Sequence, residues 1–375
     1  MAIERAVEAA GAMGDWLVEE TIRICSIPAP GFEEHERALY VAKRMGEFGL
    51  SDVHVDTADN AVGILRSDGG GPKVLLAAHI DTVFPRSQAI AIKREPGRVW
   101  APGIRDNSAG AAALLGLAKV LDESGFAPNG EIVFVGTSGE EGLGDLRGMK
   151  QAMKDYGQGV AYVIGVDGEL GGITHAGVGS RRLNVTIHAA GGHSYGAFGA
   201  PSAIHSMARM IARIADIKVP EEPKTTYNVG VISGGHSVNS IATEASMLVD
   251  MRSVDVGELR QVEDRVREIM ADVCKSDDVK ADIKIVGDRP AGGIPATHPL
   301  VETVKSVHKK LGIESELGAG STDANVPLSA GIPAVTIGVT TGGNGHRPDE
   351  WLDTAPFATG LKQLVMVVGE LAAPR

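Results

Sequence analysis

The chain has 375 residues, 43% hydrophobic and 22% charged, enough to bury a large core and to form two domains. A formal net charge of −12, with acidic and basic residues interspersed, excludes the basic stripe of a nucleic-acid surface. Two cysteines, Cys25 and Cys274, exclude a disulfide framework and fit a reducing compartment.

The first 20 residues alternate charged and small apolar residues at helical spacing. They lack the basic-then-apolar order of a signal peptide, and no apolar run reaches membrane-spanning length. A cytoplasmic protein with no membrane or nucleic-acid partner is expected. "KVLLAAH" (73–79) is the first of several short, continuously apolar segments that read as buried parallel strands. The helical stretch "SAGAAALLGLAKVLDES" (108–124) follows, then strands "EIVFVGTS" (131–138) and "AYVIGVD" (161–167).

The pattern changes at about residue 180. "RRLNVTIHAAG" alternates like a half-exposed strand, 200–216 reads as an amphipathic helix, and "TTYNVGVISGG" and "ASMLVDMRSV" read as two strands. A long amphipathic helix from Val256 and the strand "KADIKIVG" complete a β-α-β-β-α-β unit, the ferredoxin-like order. Helix 299–312 and strand 333–340 then resume the first pattern. The expected fold class is α/β: a largely parallel-sheet catalytic domain, residues 1–179 plus 288–375. An inserted ferredoxin-like α+β lid or dimerisation domain spans 180–287.

Each parallel strand runs into a residue that can bind metal. The first ends at His79 and Asp81, the second at Glu140 and Glu141, the third at Asp167, and the last leads to His346. In an open parallel sheet, sites form outside the carboxyl ends of the strands. Asp106, in "APGIRDNSAG", precedes the 108–124 helix, where a helix-capping role is the plainer reading. Any one of these residues is ordinary; together at one sheet edge they crowd negative charge that cations must offset. Mixed histidine and carboxylate donors suit zinc, or cobalt or manganese, better than calcium or magnesium, and are enough for two ions sharing one carboxylate. Asp81 shares a strand face with His79 and can orient its imidazole.

The segments "AAHIDTVFP", "APGIRDNSAGAAALL", "GTSGEEGLGD", "GGHSYGAFGAPSA", "GSTDANVPLSAGIP" and "GGNGHRPDEW" resemble, in order, the M20 family of dinuclear zinc metallopeptidases and deacylases. That family includes enzymes like tripeptidase T, carboxypeptidase G2 and aminoacylase-1. The resemblance implies that Asp106 bridges two metal ions. His79, Glu141, Asp167 and His346 are the other ligands, Asp81 steadies His79, and Glu140 is the general base acting on a metal-bridging water. It also implies a cis peptide after Asp106. His193 is the implied oxyanion-stabilising group, from this chain or across a homodimer formed by the lid domain. Asn239 and Arg252 are implied to hold a substrate carboxylate, with Gly320 and Ser321 in a substrate-binding loop. Asn107-Ser108 departs from the acidic residue or nearby lysine common in the family.

The adjacent glutamates then divide two tasks, one binding metal and one moving a proton. The expected activity is hydrolysis of the amide bond in short peptides or N-acyl amino acids. A metabolite-specific deacylase is the nearest alternative. A non-catalytic ligand-binding protein is a third reading, and Glu140 together with the complete ligand set counts against it.

Overall fold

The computed structural model describes residues 2–67 and 69–372. The chain forms two compact units, Met1–Gly177 with Gly293–Arg375, and Val178–Gly292.

The first unit is built on a mixed sheet. Strands Glu131–Thr137, Lys73–His79, Val160–Val166 and Ala334–Ile337 lie side by side in that order, all parallel. Their apolar runs are continuous because both faces are covered. Leu76, Phe134 and Ile164 pack into one core cluster, while Leu75, Val133 and Val163 pack into another. The first cluster includes most of helix Gly110–Glu123, whose alanines, leucines and glycines are almost all buried. The second includes Met149 and Ala152 of helix Arg147–Tyr156.

Several strands were not expected from the sequence. Ser51–Val55 and Ala61–Arg66 extend the sheet antiparallel beyond Glu131–Thr137. Gly172–Gly177 runs antiparallel to Ala334–Ile337, and Glu316–Gly320 lies parallel beside it. A small separate sheet joins Lys93–Glu95, Arg98–Trp100, Trp351–Asp353 and Gly342–Gly343.

The second unit is an antiparallel sheet in the order Thr225–Gly234, Glu244–Ser253, Gly179–His188, Lys280–Arg289. Helices Ala203–Ala215 and Val256–Asp277 pack with it around Leu183, Val185, Met247, Val249, Met210 and Ile269. Ser202 and Asp255 cap the two helices through their side chains. The first strand begins at Gly179 and the last runs to Arg289, so the boundaries of this unit lie slightly outside 180–287. Among the described residues, no helix is long and apolar enough to cross a membrane.

Candidate metal centre

His79 is the last residue of its buried strand. Its Nε2 lies 3.1 Å from Asp106 Oδ1 and 3.8 Å from Asp167 Oδ2. The other oxygen of Asp106 faces a second imidazole: His346 Nε2 is 3.2 Å from Asp106 Oδ2 and 2.8 Å from Glu141 Oε1. Two trios therefore share one carboxylate, each through a different oxygen. The trios adjoin, for donor atoms of His79, Asp106 and Glu141 all lie within 4.8 Å of one another.

The loop after strand Glu131–Thr137 is fixed through its backbone. Four successive N–H groups donate to side chains: Ser138 to Asn60 Oδ1 (2.9 Å), Gly139 to Glu34 Oε1 (3.0 Å), Glu140 to Asp81 Oδ1 (3.0 Å) and Glu141 to Asp81 Oδ2 (2.8 Å). Glu34 is fully buried and its second oxygen accepts from Arg147 at 2.5 Å. Asp81 thus contacts more than His79, whose Nδ1 lies 3.2 Å from the Asp81 carbonyl and 3.5 Å from its carboxylate. The two glutamates turn to different partners. Glu141 meets His346, while Glu140 borders a small cavity of about 10 Å³ with His79, Asp167, Thr322 and Asp323.

The Asp106–Asn107 peptide is cis. Asn107 Nδ2 donates to the Val166 carbonyl (2.9 Å), beside Asp167, and its Oδ1 accepts from Gly110 N (3.0 Å) at the start of helix Gly110–Glu123. The asparagine that departs from the family pattern is thus a brace between the segments that carry Asp106 and Asp167. On the other side, buried Glu350 accepts from the N–H groups of Arg105 and Asp106, both at 2.8 Å.

Sequence reasoning passed over Glu34, Asn60 and Glu350. Glu350 lay inside a segment already singled out, "GGNGHRPDEW", while Glu34 and Asn60 lay in none. It also named Gly320 and Ser321, whereas the cavity beside Glu140 is lined by the next two residues, Thr322 and Asp323. Asp323 accepts a hydrogen bond from Thr137 Oγ1. Gly320 ends its strand, paired with Gly177, and Ser321 follows it.

The electrostatics follow from packing carboxylates against two imidazoles. Burial opposes a charge on His79, yet its hydrogen bonds to Asp106 and Asp81 and the nearby Asp167 hold its pKa well above the imidazole range. Hydrogen bonds to Asp106 and Glu141 raise His346 to about 10. Burial and then the Asp106 charge push Asp167 up to about 6. The carboxylates thus draw protons onto nitrogens that face them at contact distance, where a cation would sit. Two imidazoles, a shared carboxylate and one further carboxylate for each trio form a donor set that fits two divalent ions.

The remaining named residues belong to the second unit. His193 is exposed, and its Nδ1 accepts from the N–H groups of Tyr195 (3.3 Å) and Gly196 (3.2 Å). A neutral ring therefore carries its proton on Nε2. Asn239 is exposed, and its Oδ1 accepts from Ser237 Oγ at 2.6 Å. Arg252 is half-buried on strand Glu244–Ser253, with its Nε donating to Asp250 at 2.7 Å.

Histidines and carboxylates at the carboxyl edge of an open α/β sheet, in two trios sharing one aspartate, define a divalent-metal hydrolase. The chain belongs to peptidase family M20/M25/M40, whose profile matches residues 75–370. It is similar to the uncharacterised protein YqjE of Bacillus subtilis, 27% identical over 86% of this chain and 90% of that one. A succinyl-diaminopimelate desuccinylase of Corynebacterium glutamicum is 25% identical over 90% and 92%. In fold it resembles a tripeptidase of Staphylococcus aureus, with a TM-score of 0.82, 22% identity and coverage of 96% and 99%. The chain is therefore a metal-dependent hydrolase of C–N bonds in peptides or acyl amino acids, and the resemblance and fold class expected from its motifs both hold.

Proposed function

We propose that this enzyme cleaves the amide bond next to a free carboxylate in short peptides or N-acyl amino acids, using two ions, zinc in the first instance. The observation that carries the reading is the shared aspartate: Asp106 offers one oxygen to the His79–Asp167 trio and the other to the His346–Glu141 trio. His79, Asp106 and Asp167 would hold one divalent ion and His346, Asp106 and Glu141 a second, and such ions would supply the Lewis acidity that lowers the pKa of an attacking water and polarises a carbonyl. Glu140, held by Asp81 and bordering the cavity beside His79 and Asp167, accepts the proton of the attacking water and passes it to the leaving nitrogen. His193, with its proton on Nε2, donates to the developing oxyanion, from this chain or from a partner subunit. Asn239 and Arg252 hold the carboxylate, and Asp250 orients the guanidinium fork. Gly320 and Ser321 complete the substrate-binding loop.

Amidating the substrate carboxylate is expected to raise KM and lower kcat, because a misplaced amide loses its alignment for attack. Arg252→Ala should lose about as much on the free acid and little more on the amide, the non-additivity of a direct contact. Equal turnover of amides and free acids refutes the clamp and favours anchoring on the substrate amine.

The second unit is proposed to form a homodimer. Its edge strand Thr225–Gly234 leaves Val231 and Ile232 more than half exposed (54% and 56%), a pairing edge without cover among the described residues. Light scattering should give a dimer for the wild type and a monomer for Val231→Glu with Ile232→Glu. A dimer surviving both substitutions, or a monomeric wild type, refutes this interface.

A further inference from the structure

The loop that carries His346 is exposed from Asn344 to Asp349 and ends in Glu350, which is fully buried. Two short strands, Gly342–Gly343 and Trp351–Asp353, pair at the base of this loop. Three hydrogen bonds from the segment bearing Asp106 converge on Glu350: its carbonyl accepts from Ala101 N (3.0 Å), and its Oε1 accepts from Arg105 N and Asp106 N. Glu350 thus joins the loop of one ligand to the backbone of another, four residues after His346. The other trio has a separate brace, since Asn107 ties the Asp106 segment to Val166, next to Asp167.

We propose that Glu350 is a positioning residue that sets the separation of Asp106 and His346, and so governs the affinity of the ion held by Asp106, His346 and Glu141. This rests on the two-ion reading above. The ion held by His79, Asp106 and Asp167 depends on the Asn107 brace and is largely indifferent to Glu350. A residue that merely filled space would affect both ions alike or neither.

The test is a Co2+ titration of the metal-stripped full chain, followed by visible absorption and by elemental analysis after desalting. Wild type should bind two ions. Glu350→Ala should keep one at wild-type affinity and bind the second about 10- to 100-fold more weakly, the loss typical of an outer-shell partner. Glu350→Asp, which withdraws the acceptor oxygen by one methylene, should do the same and decides the matter if the alanine variant does not fold. Glu350→Gln keeps an acceptor oxygen and should restore both affinities. Wild-type binding of both ions by the alanine and aspartate variants, or equal weakening of both, overturns the proposal. A wild-type chain that binds fewer than two ions overturns the underlying reading and this one with it.

Discussion

Glu140→Gln should abolish turnover and leave metal content unchanged. The substitution preserves size and the backbone N–H bond to Asp81, so the loop geometry is kept. Glu140 lies outside the two trios, which use Glu141, its neighbour, against His346. Only the proton-accepting oxygen is lost. Loss of a general base costs about 10²–10⁴ in rate. In the proposed mechanism the same group also returns the proton to the leaving nitrogen, which places the expected loss at the upper end. Steady-state kinetics on a responsive substrate and elemental analysis of the same sample make the comparison. Near-normal activity sinks the assignment of Glu140, and a lowered metal content makes it a ligand instead.

Asp106→Ala should fail in the opposite way, by losing its metal. Both oxygens of Asp106 lie within 3.2 Å of an imidazole nitrogen, one in each trio. Without them the two sites share nothing, and each falls to one imidazole and one carboxylate. Metal content after desalting should drop to a small fraction of wild type. Loss of several kcal/mol of transition-state stabilisation corresponds to a fall of about three orders of magnitude or more. Excess metal should restore little. An Asp106→Ala protein that retains both ions contradicts the shared-aspartate geometry.

The sequence disclosed the part of the site that follows from strand periodicity. Buried parallel strands are apolar on both faces, so the polar residues that end them stand out, and His79, Glu140, Glu141 and Asp167 were readable for that reason. His346 was a candidate as the residue the last strand leads to and Asp106 only as a residue before a helix with a capping alternative, and the motif resemblance supplied the role of each, because loops carry no period. Glu34 and Glu350 stayed hidden because their roles come from partners more than 100 residues away: Gly139 and Arg147 for Glu34, and Arg105 and Asp106 for Glu350. In "GFEEHE", Glu33 and Glu36 are exposed while Glu34 is fully buried, and nothing in the local pattern separates them. Asp81 shows the limit of periodicity in another way. The strand rule paired it with His79, yet its shorter contacts are to the backbone of Glu140 and Glu141. The small sheet near His346 was missed because strands of two or three residues carry no repeat.

The most direct test of the two-ion hydrolase is reconstitution of the metal-stripped chain. Zn2+, Co2+ or Mn2+ is added in steps while a panel of dipeptides, tripeptides and N-acyl amino acids with free carboxylates is assayed. Activity should be absent without metal, appear on at least one member of the panel, and reach its plateau at two ions per chain. Full activity in the stripped protein, or a plateau reached at a single ion, would contradict the account.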